Sequence, residues 1–145
     1  MSLEEWLEEG FLKKSQSNPE ETGYLLETIR NDFKDCLNPK LSIDWQFKIA
    51  YSSILNCGIV ALAALGYRPG NDSHHYWTIQ SLALTLELDR DIVDLLDDFR
   101  KKRNRSSYER TGMITKREAN EIIELSRKIQ STLMEWLRKN HGNLI

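Results

Sequence analysis

SIDWQFKIAYSSILNCGIVALAAL, residues 42–65, has almost no polar face. Turned at 100° per residue, it sets Trp45, Ile49, Leu55, Ile59 and Leu62 on one side and Phe47, Ala50, Ile54, Ala61 and Leu65 on another. A helix that is apolar nearly all round has to be covered by other helices, so the stretch predicts the centre of a bundle. Gly58, Ala61 and Ala64 are small enough to admit a neighbouring backbone, from this chain or from a second copy. Gly66 followed by Pro69 reads as a stop.

Capping signals place the neighbouring helices. Ser2 and Glu5 form a capping-box pattern ahead of Leu3, Trp6, Leu7 and Phe11, which predicts a short first helix. Asn18-Pro19-Glu20-Glu21 supplies a cap, a proline at the first helical position and carboxylates at the positive end of the dipole. Leu26, Ile29, Phe33 and Leu37 then follow at helical spacing, to an end near Asn38-Pro39. Asn71-Asp72-Ser73 caps a fourth helix through Ile79, Leu82 and Leu86. A fifth begins near Asp89 and turns Ile92, Leu95, Leu96 and Phe99 inward. After a break at Thr111-Gly112, Thr115 and Glu118 make a second capping box for a long final helix carrying Ala119, Ile122, Ile129, Leu133 and Leu137. With seven Gly and three Pro in 145 residues, the chain has little material for the turns of an all-β fold. The expected fold is all-α, an antiparallel up-down helical bundle with an additional N-terminal helix. It forms one domain over residues 1–145, in which residues 1–16 are an N-terminal helical extension.

Cys36 and Cys57 lie inside apolar helical stretches without metal-ligand spacing or the density of a disulfide scaffold, which predicts buried thiols in a reducing compartment. The acidic start, Met1-Ser2-Leu3-Glu4-Glu5, lacks the order of a secretory signal, and the longest unbroken apolar run, residues 57–67, is short of the roughly 18 residues that span a bilayer. A cytoplasmic protein without a membrane segment is expected. No repeat, Gly-rich phosphate loop or cofactor motif is present, and no Ser, His and Asp arrangement stands out.

Residues 100–110, Arg100-Lys101-Lys102-Arg103-Asn104-Arg105-Ser106-Ser107-Tyr108-Glu109-Arg110, hold six cationic side chains and one anionic one in a chain of net charge −2. Concentrated positive charge in an otherwise acidic chain points to an anionic partner. Arg103 continues the apolar stripe of the fifth helix by four residues, so its guanidinium has to find a carboxylate, a carbonyl, a dimer mate or a ligand anion. A structural ion pair and an anion site are equally compatible with that position. Arg100, Lys101, Lys102, Arg105 and Arg110 also suit the negative end of a helix dipole. On a continuous helix Arg103 and Tyr108 lie about 140° apart, whereas Asn104 and Tyr108 share a face, so Arg103 joins Tyr108 only if the helix unwinds at Ser106-Ser107. Tyr108 can stack on a base or close the bundle core. His74 and His75 point about 100° apart on a helix, unlike the i, i+4 pair of a zinc helix, and no metal is expected. One of them decorates an exposed first turn, or lies across the bundle from Arg103 as a base or phosphate ligand.

Four segments together carry a family likeness. Ile43-Asp44-Trp45-Gln46-Phe47-Lys48-Ile49-Ala50-Tyr51, Ala64-Leu65-Gly66-Tyr67-Arg68-Pro69, His74-His75-Tyr76 and the basic segment 100–110 resemble prokaryotic HEPN-domain proteins along nearly the whole chain. The resemblance implies a helical bundle that forms a homodimer and acts on RNA in a toxin-antitoxin or defence setting, beside a nucleotidyltransferase-like antitoxin. The HEPN nuclease motif is an Arg, usually followed by a polar residue, and a His beyond four to six further residues. Arg103 and Asn104 match its start, and Tyr108, Glu109 and Arg110 stand where the His belongs. Without an imidazole titrating near neutrality, cleavage through the 2′-hydroxyl lacks its ordinary proton carrier.

The favoured reading is therefore binding, of RNA, a nucleotide or a partner protein, with Arg100, Lys102, Arg103, Asn104, Arg105, Tyr108 and His75 as ligand-binding candidates. The alternative is a metal-independent ribonuclease toxin that uses Arg103, Asn104 and Tyr108, with His74 or His75 as a replacement base. A third reading is a non-catalytic adaptor whose basic strip meets an acidic protein.

Overall fold

Ser42 opens the central helix with an extended backbone and a hydroxyl that accepts a hydrogen bond from the Trp45 N–H at 3.2 Å, which satisfies one of the donors a helix start leaves unpaired. The computed structural model describes residues 1–108 and 113–145, with the side chains of 106–108 excepted. Along the described chain run α1 (Leu3–Glu8), β1 (Leu12–Lys14), α2 (Pro19–Cys36), α3 (Ile43–Ala64), β2 (Tyr67–Pro69), α4 (His74–Thr85), α5 (Arg90–Tyr108) and α6 (Lys116–Asn140), followed by one 3-10 turn, Gly142–Leu144. The protein is an all-α helical bundle with a two-stranded ribbon at one end.

Helix α3 is the hub, packing along α2 and α6 and crossing α4 and α5. Phe47, Ala50, Tyr51, Ile54, Cys57, Val60 and Ala61 of α3 meet Leu26 and Ile29 of α2, Ile79 and Leu82 of α4, Val93, Leu96 and Phe99 of α5, and Ile122, Ile129, Leu133 and Leu137 of α6. A large apolar side chain buried in this way contributes about 1.5–3 kcal/mol. The small residues serve this packing. A Cβ on Gly58 would lie 2.7 Å from Thr78 Cγ2 and 3.2 Å from Thr78 O, so α4 approaches α3 as closely as a glycine permits. Among the described residues α3 is also the helix that is long and apolar enough, by length and composition, to cross a bilayer. The longest unbroken apolar run understates it, because Ser52, Ser53 and Asn56 interrupt the run without making the helix polar. Here the face carrying Phe47, Ala50, Ile54 and Ala61 is buried against the other helices, while Ile43 and Trp45 at its start are exposed, against the expectation of cover all round.

The ends of the helices depart from the sequence reading in two places. Helix α1 stops at Glu8, and Gly10 (φ +83°) turns the chain so that Phe11 leaves the helix and stacks on Trp77, with centroids 4.0 Å apart and planes 12° apart. Leu12, Lys13 and Lys14 then pair antiparallel with Pro69, Arg68 and Tyr67. Three-residue strands are too short for alternation to show in sequence. Trp6, Leu12, Leu62 and Tyr67 form a second, smaller core beneath this ribbon. The cap of α4 also differs, because Ser73 takes a left-handed conformation (φ 53°) and its side chain makes no capping bond. By contrast, Asn18 caps α2, and Thr115 with Glu118 completes a capping box at α6.

Candidate functional site

Helices α3 and α5 run in the same direction, which sets the register of the site. Phe99 of α5 meets Phe47 of α3 edge to face at 5.4 Å. One turn further along both helices, the Arg103 guanidinium lies over the Tyr51 ring, 5.8 Å from its centroid. Tyr51 is only 2 % exposed, and its hydroxyl is 3.2 Å from Nδ1 of His75 in the first turn of α4. Arg103, Tyr51 and His75 thus form a chain across three helices.

The electrostatics of this chain follow from burial. Desolvation pushes the Tyr51 phenol well above its ordinary value, and the nearby Arg103 and Arg100 only partly oppose it. Desolvation, then the His74 ring, then Arg103 and Arg100 hold the His75 imidazole down to about 4. A phenol that keeps its proton can donate to Nδ1 of a neutral imidazole, which leaves the imidazole proton on Nε2. The His75 ring is half-buried and meets the exposed His74 edge on at 4.6 Å. At neutral pH His75 is therefore uncharged, with Nδ1 taken by Tyr51 and Nε2–H left as a donor, which makes it a weak base and unsuited to donate as an imidazolium.

The cations at the end of α5 divide into two groups. Arg100 pairs with Asp97 at 2.7 Å while lying over the Tyr76 ring, and Lys101 reaches the same carboxylate at 3.6 Å. Lys102 turns to α6 and pairs with Glu118. Burial raises the Glu118 pKa, but the bonds from Lys102 and Thr115 outweigh it and hold the carboxyl below its usual range. These three cations are engaged by the fold. Arg103 and Arg105 have no carboxylate within 4.0 Å among the described residues, and Arg105 is exposed to water. Arg103 Nε is buried and has no hydrogen-bond partner, while its Nη1 donates to Asn104 Oδ1 at 3.3 Å.

On the far side of Arg103 a pocket of about 380 Å3 opens between α2, α3 and α5, lined by Asp32, Trp45, Lys48, Ile49, Ser52 and Arg103. Trp45 is 59 % exposed there, and the Lys48 ammonium is 5.5 Å from the centroid of its ring. Burial, and then Asp35, raise the pKa of the half-buried Asp32 carboxyl.

Of the residues singled out in sequence, Arg103, Asn104 and His75 come together, joined by Tyr51. His74 is at the edge, Lys102 is turned away, and Arg100 is held by Asp97. Helix α5 continues through Tyr108 without unwinding at Ser106-Ser107, so the backbone does not bring position 108 to the face of Arg103. The Tyr108 side chain, Glu109 and Arg110 lie outside the described residues. Among those described, no three His, Cys, Asp or Glu side chains converge as a metal site.

Tyr51, Trp45, Lys48, Ser52 and Asp32 are additions from the structure. The spacing of Trp45, Lys48 and Ser52 puts them on one stripe of α3, and two large polar-edged residues in an otherwise apolar helix were the signal that could have marked them. No family model matches the chain, and no curated protein and no solved structure matches it either.

Proposed function

We propose that the chain is a HEPN-like module that binds RNA through Arg103 and its surroundings at the end of α5. The observation that carries this reading is the Arg103 guanidinium, held over Tyr51 with a buried Nε that has no partner and no carboxylate within 4.0 Å among the described residues. The buried Nε stays inside the fold, and the part of the guanidinium that lines the pocket is what a phosphate can reach and pair with. Asn104 and Arg105 extend the same surface, whereas Arg100 and Lys102 support it through Asp97 and Glu118. A homodimer and a nucleotidyltransferase-like antitoxin in a toxin-antitoxin setting belong to the same proposal, and rest on the resemblance.

A second reading, weak ribonuclease activity, is favoured by the bond between Tyr51 and His75. His75 would take the 2′-hydroxyl proton and Arg103 would stabilise the charge that builds on the phosphate. An imidazole held near 4 is a weak base at neutral pH and has no matching acid beside it among the described residues, and this makes binding the first choice.

The test is to follow binding and cleavage of single-stranded RNA by wild type, Arg103→Ala and His75→Ala across salt concentrations. Binding that falls with salt at a log-log slope of about −0.7 per phosphate contacted, and that is weakened in Arg103→Ala, supports the proposal. Cleavage abolished by either variant would establish the second reading. A protein that ignores RNA and nucleotides would overturn both in favour of the adaptor.

A further inference from the structure

The pocket beside Arg103 combines features that a phosphate clamp alone does not need. A cationic strip would hold phosphates with exposed Lys and Arg, yet here the two cations, Lys48 and Arg103, lie on the walls of a concavity of about 380 Å3 that also contains an open indole. That volume lies within the range of small-ligand sites. The pocket is also polarised. Lys48 and Arg103 supply positive charge, while Asp32 and Ser52 supply a carboxylate and a hydroxyl on the same rim. An anion alone would be repelled by Asp32. A ligand with a phosphate at one end and a planar group with hydrogen-bond donors at the other fits the whole lining.

From this arrangement we infer that the pocket is a nucleotide subsite, in which one unstacked base of a single-stranded RNA lies on the Trp45 ring while its phosphate is held by Lys48 and Arg103. The inference rests on the RNA-binding reading and narrows it to single strands, because a base reaches an indole face only after it has left its own stack. Trp45 is 59 % exposed, and its aromatic surface is not consumed by the core. The Lys48 ammonium lies over the face of that ring, so the stacked base takes its place on the indole as the ammonium turns to the adjoining phosphate. Ser52 and Asp32 face the edge of the base, where the exocyclic amino group of adenine or cytosine donates.

The experiment titrates the protein with oligoadenylate, with a duplex RNA, and with adenosine monophosphate and ribose 5-phosphate as competitors. Trp45→Ala is expected to weaken oligoadenylate binding about five- to a hundredfold, the range for loss of one stacked base. Trp45→Phe should keep most of the affinity, and duplex binding should not change. In wild type the indole emission is quenched on titration, and in Trp45→Phe that quenching is lost. Adenosine monophosphate should displace oligoadenylate at lower concentration than ribose 5-phosphate. Equal displacement by the two, or Trp45→Ala binding oligoadenylate within twofold of wild type while Arg103→Ala is weakened, overturns the base subsite and leaves the RNA reading standing. Loss of neither interaction in either variant overturns both.

Discussion

Replacing Arg103 with methionine separates a functional cation from a structural one. Methionine keeps an unbranched stem against Tyr51 and removes the guanidinium. In the native protein the buried Nε without a partner costs about 1–3 kcal/mol. The cation over the Tyr51 ring at 5.8 Å returns about 0.5–1 kcal/mol at a partly exposed position, and the 3.3 Å bond to Asn104 about 0.5 kcal/mol at such a length. At the middle of these ranges the unfavourable contribution is the larger, so Arg103→Met is expected to stabilise the fold by about 0.75 kcal/mol, within limits of about −0.5 to +2 kcal/mol. For a chain of this size the central value raises Tm by about 2–3 °C. The assay is urea unfolding followed by far-ultraviolet circular dichroism, with RNA affinity measured on the same preparation. The expected signature is opposed: stability rises and RNA binding falls by at least tenfold, as for a residue retained for ligand binding at the expense of the fold. A loss of more than about 1 kcal/mol in Arg103→Met would show that the guanidinium braces the bundle, and unchanged RNA affinity would remove it from the site.

Other outcomes follow from single contacts. Gly58→Ala puts a methyl 2.7 Å from Thr78 Cγ2 and should cost about 1–3 kcal/mol in urea unfolding by forcing α3 and α4 apart; an unchanged midpoint would mean that the two helices can separate freely. The folded His75 imidazole titrates near 4 against an ordinary 6.5, so it is neutral in the folded protein while the unfolded chain takes up a proton. Its contribution to stability is complete above pH 6.5 and is lost as the pH falls toward 4. His75→Gln should flatten the stability profile across that window, and the wild-type imidazole proton resonances should hold their neutral shift down to about pH 5. Lys102→Gln breaks the link to Glu118 across α5 and α6 and should cost about 0.5–1 kcal/mol, with a smaller loss of RNA affinity than Arg103→Ala; the reverse order would make Lys102 the anion ligand.

The parts of the fold legible in sequence are those fixed by local rules. Apolar residues on every side of 42–65 identify a central helix whatever its neighbours are, though not that Ile43, Trp45 and Leu65 stay exposed, and the Thr115 and Glu118 box needs only four residues to form. Ser73 was not legible as an uncapped start, because a serine ahead of a helix ordinarily caps it and nothing in the local sequence marks the left-handed backbone it takes. The β1 and β2 ribbon joins Leu12 to Pro69 through a pairing that no short window contains.

The same division runs through the site and decides how the basic segment is understood. Arg103 could be singled out because it stands four residues after Phe99 on an inward stripe, a fact internal to α5. The pairs of Asp97 with Arg100 and Lys101 are equally internal to α5, at i,i+3 and i,i+4, but the engagement of Lys102 could not be read in the same way, since its partner Glu118 begins another helix. Tyr51 was hidden by its own chemistry: an aromatic body in an apolar helix reads as core, and its hydroxyl is spoken for by a histidine 24 residues later. Counting charges along 100–110 therefore overstates the anion-binding surface. The bundle holds Arg100, Lys101 and Lys102 in ion pairs and leaves Arg103, at the Trp45 pocket, with no carboxylate within 4.0 Å among the described residues. In the proposed complex, recognition at that pocket would depend less on total charge than on the aromatic face near the Arg103 guanidinium, which is why variants of Trp45 and Arg103 discriminate between the readings more sharply than removal of Lys101 or Lys102.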